Sequence, residues 1–147
     1  MKTIIGLGSA GCNIADKFST YSQYKTYKID SEIKKATRCY PFPKFKNPEE
    51  YEKKCPNLKN FLKHVKGDVL FITSCGHISA ASLRILEQIK NKCSIEVLYI
   101  RPDRSLLSQK KLLNDNVIFH ILQEYARSDL FKRAYLIDNV QMEKIIG

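Results

Sequence analysis

Thr3-Ile4-Ile5-Gly6-Leu7-Gly8-Ser9-Ala10-Gly11-Cys12-Asn13 passes from a short apolar run into a glycine-rich turn and then into helical spacing. Residues 3–7 read as a buried strand, and Ile14, Ala15 and Phe18 mark one side of a helix over 10–18. The glycines Gly6, Gly8 and Gly11 form a G-x-G-x-x-G spacing between that strand and that helix. In this arrangement the first glycine lets the chain turn tightly, and the second lets backbone approach a diphosphate. The third allows close packing of the helix, whose N-terminus faces the phosphate charge. A structural turn with no ligand is the alternative.

Working outward, the chain alternates strands and helices. Residues 24–29 alternate as a second strand, and Asp30 ends it, 19 positions after Gly11. In a dinucleotide fold an acid at that place holds a ribose hydroxyl; otherwise it is an ordinary strand-end residue opening a turn. Residues 31–47 read as a long loop broken by Pro41 and Pro43. Pro48-Glu49-Glu50 fits the first turn of a helix, and a second short helix is expected over 58–65. The run 68–73, DVLFIT, is a central parallel strand. A helix over 79–90, a fourth strand over 95–100 and a long helical region through Leu113, Val117, Ile121 and Tyr125 follow. Asn114-Asp115-Asn116 is a candidate break in that last helix. A fifth strand over 134–137 and a helix over 141–146 close the chain. The expectation is one α/β domain spanning 1–147, a doubly wound, Rossmann-like parallel sheet of about five strands with helices on both faces. The expected strand order is 2-1-3-4-5, with any ligand beyond the carboxyl ends of the first and third strands.

The third strand leads into Thr73-Ser74-Cys75-Gly76-His77-Ile78-Ser79, a small, hydroxyl-rich stretch before a helix. Free N–H groups there could meet a second phosphate edge; a serine cap with small packing residues is the bland alternative. Five cysteines, Cys12, Cys39, Cys55, Cys75 and Cys93, form no C-x-x-C pair, so reduced thiols and a cytoplasmic setting are expected. His64, His77 and His120 stand apart, and no metal site is expected from them. No run is long and apolar enough for a membrane span, and the first residues are too short for a secretory signal.

The 147 residues carry a net charge of +10, a field that attracts polyanions. The excess is spread along the chain, so a nucleic-acid partner is not expected: no basic arm stands out, and aromatics interleaved with basic residues on one face are not evident.

Several segments in this order resemble the tubulin/FtsZ family: IIGLGSAGCNIADKF, YKIDSE, NPEEYEKK, DVLFITSCGHISAASLRILEQI, IEVLYIRP and AYLIDNVQMEKIIG. The resemblance covers nearly the whole chain and matches the N-terminal, nucleotide-binding half of that family. It implies that Gly8, Ser9, Ala10, Gly11, Cys12 and Asn13 lie in the first phosphate loop and that Asp30 ends the second strand. Residues 76–82, with Gly76, His77 and Ser79, take the place of the family's G-G-G-T-G-T-G loop. Arg101 falls near the ribose and Asn139 near the base. GTP or GDP, with Mg²⁺, is then the expected ligand, and assembly of the filament type, with itself or a protein partner, the expected role. The loop at 76–82 keeps only Gly76, and residues 41–47 lack the glycine and acid of a terminal-phosphate loop. The family's central helix and second domain, which supplies the catalytic acid, have no counterpart in these 147 residues. An autonomous GTPase is therefore not expected. An NAD-type dinucleotide module, and an interaction domain that has lost its nucleotide, stand as alternatives.

Overall fold

A computed structural model describes residues 2–101, 105, 107–127 and 132–138. The elements run β1 (Lys2–Leu7), α1 (Gly8–Phe18), β2 (Tyr24–Asp30), β3 (Cys39–Pro41), α2 (Pro48–Lys53), β4 (Gly67–Thr73), a 3-10 helix (His77–Ala81), α3 (Ser82–Glu87), β5 (Cys93–Arg101), α4 (Gln109–Arg127) and β6 (Arg133–Asp138). All six strands are parallel, in the order β3-β2-β1-β4-β5-β6. The protein is thus an α/β, Rossmann-like, doubly wound parallel sheet, and the five expected strands keep their relative order.

Alternation along the strands divides the core between the two faces. Ile5, Leu7, Ile29, Phe71, Val97 and Tyr99 pack beneath Tyr51 of α2, Ile85 and Leu86 of α3, and Ile118 and Leu122 of α4. Ile4, Ile72, Leu98 and Ile100 occupy the opposite face with Ala15 of α1.

Four expectations are corrected. The stretch 31–47 is not wholly loop: Cys39–Pro41 adds a sixth, edge strand beside β2. Pro41 is tolerated because an edge strand has one side with no ladder to feed. An aromatic cluster holds this edge down, with Tyr40 5.3 Å from Phe61 and Phe42 5.8 Å from Tyr51, ring centre to ring centre. Residues 58–65 are turns, not a helix. Local turn bonds, such as Leu62 N donating to Leu58 O at 2.8 Å and Val65 N to Leu62 O at 3.0 Å, are supplemented by tertiary partners. Gln88 Oε1 accepts from Leu58 N at 2.6 Å, and Lys92 Nζ donates to Leu62 O at 2.8 Å. The helix expected over 79–90 is a 3-10 turn followed by the short α3. Serine hydroxyls compete with the helical ladder here: Ser82 Oγ donates to Ser79 O at 2.7 Å, and Thr73 Oγ1 donates to Ser79 Oγ at 2.8 Å. Finally, α4 runs unbroken through Asn114-Asp115-Asn116. Asn114 and Asp115 spend their side chains on groups outside the helix rather than on its backbone. The helix expected over 141–146 lies outside the described residues.

Candidate functional site

Chain direction reverses its winding between β1, which leads to β2 on one side, and β4, which leads to β5 on the other. Beyond the carboxyl ends of these two strands lies a cavity of about 280 Å³. Gly8, Ser9, Ala10, Asp30, Gly76 and Ser79 line it, together with Leu7, Ser74 and Ile78. The two glycine-bearing loops and the end of β2 therefore share one crevice, as the topology requires.

The glycines divide their work differently from the expectation. Gly6 lies within β1, and a Cβ there would fall 2.5 Å from the carbonyl oxygen of Gly11. Gly6 and Gly11 are thus a packing pair that lets α1 lie against the strand. The turn belongs to Gly8, whose φ of +80° is a left-handed conformation that suits glycine. A Cβ on Gly8 would also stand 3.1 Å from Ile78 Cγ2 across the crevice.

Leu7 occupies the N-cap of α1 and offers no capping side chain, and the first turn holds no acid. The first-turn N–H groups consequently have no side-chain acceptor, at the end of the helix where partial positive charge gathers. Asp30 is 8% exposed and stands on the other wall. Its Oδ2 accepts from Ser9 Oγ at 3.4 Å and its Oδ1 from Ser31 N at 2.8 Å. Among the described residues it is the one carboxylate that lines the crevice. Among the described residues no three histidine, cysteine or acidic side chains gather as a metal-ligand set. Among the described residues the crevice therefore does not fit a protein-held Mg²⁺.

The remaining expected residues lie elsewhere. Cys12 is buried under α1, its thiol pointing at the carbonyls of Gly6 and Ile29, each at 3.5 Å. Burial, reinforced by the charge of Asp30, pushes that thiol up to about 12, so it acts as packing. Asn13 is exposed on α1 and does not line the crevice. His77 is exposed, while its neighbour Ile78 turns inward and takes the position beside Gly8. Arg101 turns away to α4: its Nε lies 3.1 Å from Asp115 Oδ2, and its guanidinium stacks 4.7 Å from the centre of the Phe119 ring. That pair meets by charge rather than along a hydrogen-bond direction. Asn139 lies outside the described residues.

Sequence reasoning passed over two contributors. Ser74 lines the crevice and ties its loop to β5 by donating to Ile100 O at 2.6 Å. Asp115, fully buried, accepts from Tyr99 Oη at 2.5 Å, and Asn114 beside it donates to Cys75 O in the β4–α3 connection. Burial, then the hydrogen bond to Asp115, hold Tyr99 protonated. The signal was present as polar residues among apolar segments, but their hydrogen-bond partners are 16 to 39 residues away.

No family model matches the chain, and no curated protein matches it. Among solved structures, the Lmo0794 protein from Listeria monocytogenes is 15% identical over 92% of this chain and 98% of its own. The TM-score is 0.31, a likeness too slight to carry any argument about function.

Proposed function

We propose that the chain is a guanine-nucleotide-binding module that associates with further copies of itself and does not turn the nucleotide over alone. The observation that carries this reading is the uncapped first turn of α1 opening on the same crevice as the β4–α3 loop. Phosphate oxygens placed there would accept from backbone N–H groups, with the helix N-terminus favouring their charge. A volume of about 280 Å³ is near the lower end of the range for small-molecule sites, so it suits the phosphates and leaves the base outside. The preference for guanine comes from the tubulin/FtsZ-like order of segments. Against turnover stands the chemistry of the crevice, since Asp30 is the one acid lining it among the described residues and is already engaged by Ser9 and Ser31. Hydrolysis needs a positioned water and charge stabilisation around the terminal phosphate.

For association, α4 offers Leu113, Val117 and Ile121, spaced four apart and 65%, 47% and 38% exposed. Two copies of α4 paired antiparallel about Val117 would bring Leu113 against Ile121 of the second copy. Lys110 would then face Glu124 of that copy, because both lie seven positions from Val117.

A second reading is favoured by Asp30. A buried acid at the end of β2 in the crevice, within a sheet of order 3-2-1-4-5-6, is the arrangement of NAD-type dinucleotide folds. Thermal melts against GTP, GDP, ATP and NAD, with sedimentation velocity on the same samples, separate the readings. Guanine nucleotide at a hundred times its Kd should add about 2.7 kcal/mol, roughly 5–11 °C in a domain of this size. Association should be lost in Val117→Glu. A shift with NAD alone that disappears in Asp30→Ala establishes the second reading, and no shift with any nucleotide refutes both.

A further inference from the structure

At the other end of the sheet, a parallel arrangement gathers every strand start, and four neighbouring strands place a lysine there. Lys25 lies at the start of β2, Lys2 at the start of β1, Lys66 just before β4 and Lys92 just before β5. In space these strands follow one another as β2-β1-β4-β5. With strands ~4.8 Å apart, the lysines span a row roughly 14 Å wide. They line an open cavity of about 780 Å³ with His64 and, as the one acid among the described residues, Asp68. Two of the four are partly engaged: Lys2 Nζ lies 3.2 Å from Glu96 Oε1, and Lys92 Nζ donates to Leu62 O at 2.8 Å. Lys25 and Lys66 have no carboxylate within 4.0 Å among the described residues.

Four ammonium groups around one concavity repel one another, and among the described residues two carboxylates stand against them, Asp68 in the lining and Glu96 beside Lys2. An anion with several charges removes that repulsion. We propose that this cavity is a binding site for an extended polyphosphate, an anion carrying successive phosphates along the lysine row. It is separate from the glycine crevice, which lies at the far end of β1, roughly 17 Å away along the strand. A monophosphate would reach only part of the row. Among the described residues the lining holds no phenylalanine, tyrosine or tryptophan, and its one ring is the His64 imidazole, where single-stranded nucleic-acid grooves offer a series of stacking rings. Charge-assisted contacts to ammonium groups supply the affinity, which therefore falls as salt rises.

Inorganic tripolyphosphate is the probe. Calorimetric titration into the full chain, with amide NMR mapping, should show binding with shifts at Thr3, Lys66 and Gly67 that saturate independently of any shifts at Gly8 and Gly76, where the crevice is proposed to take nucleotide phosphate. Lys25→Glu with Lys66→Glu should weaken binding at least about tenfold, since two charge-assisted contacts are reversed. Lys53→Glu with Lys59→Glu, the same charge change at exposed lysines that line neither this cavity nor the crevice, should leave it within about twofold. Three outcomes overturn the assignment: no shifts at the strand starts, equal losses in the two double variants, or single-stranded RNA binding tighter than tripolyphosphate at matched phosphate concentration.

Discussion

Gly11→Ala should lower the melting temperature of the chain by roughly 6–12 °C, about 3 kcal/mol at 2–4 °C per kcal/mol for a domain of this size. The sign is the informative part. Alanine is the better helix former, and in an open helix the exchange would stabilise by about 1 kcal/mol. Here a Cβ would fall inside van der Waals distance of the carbonyl oxygen of Ile72 in the central strand β4. Neither side can yield cheaply, because Ile72 O is backbone within the sheet and α1 is also pressed against Gly6 of β1. Differential scanning calorimetry checks this, with Gly76→Ala as the comparison, since a Cβ on Gly76 meets nothing within 4 Å. A Gly11→Ala protein as stable as the parent would mean that α1 does not lie this close to the sheet.

Asp115→Ala should be of similar size. Asp115 is fully buried, and it is the acidic partner of Arg101, whose side chain is only 20% exposed. Removing one member of such a pair strands a charge in the interior and typically costs about 3–5 kcal/mol. Tyr99 loses its 2.5 Å acceptor at the same time. The pair as a whole is worth much less, because its desolvation offsets most of its attraction. Replacing both members, Asp115→Leu with Arg101→Met, should therefore recover most of the loss, and chemical denaturation of the two variants measures the difference. Equal stability of Asp115→Ala and the parent would show that α4 and β5 are not joined through this pair.

The strand, loop and helix from Thr3 to Phe18 were legible because each layer of the sequence agrees there: an apolar run, glycines at the turn and a helical stripe. DVLFIT was legible for the same reason, since Val69 to Ile72 is the unbroken apolar run of a strand covered on both faces. β3 was hidden by Pro41 and Pro43, which read as breakers although an edge strand accepts proline. The segment 58–65 carries the apolar spacing of a helix, but its backbone partners include Gln88 and Lys92, some 30 positions on. In the crevice, Gly8, Ser9, Ala10, Asp30, Gly76 and Ser79 came together because topology alone brings the strand ends together. Orientation was not legible. Within the 3-10 turn His77 faces solvent and Ile78 faces Gly8. Arg101 was claimed by an acid whose burial only the folded chain reveals. Positions taken from family likeness were least secure where side-chain direction decides the role, as at Asn13 and His77.

The central claim, that the first turn of α1 receives nucleotide phosphate, is tested most directly by titrating GDP into the parent chain and into Ser9→Glu. Ser9 is exposed, and an acid in the first turn of a helix is favourable for folding, so the variant should fold. The same carboxylate stands where phosphate charge would sit and should weaken GDP binding at least about tenfold, a loss of ~1.4 kcal/mol. It also gives up the Ser9–Asp30 hydrogen bond and faces the Asp30 charge, so any fall in melting temperature reports that contact and the variant is compared with the parent below both melts. A folded Ser9→Glu protein that binds GDP as tightly as the parent would contradict the account.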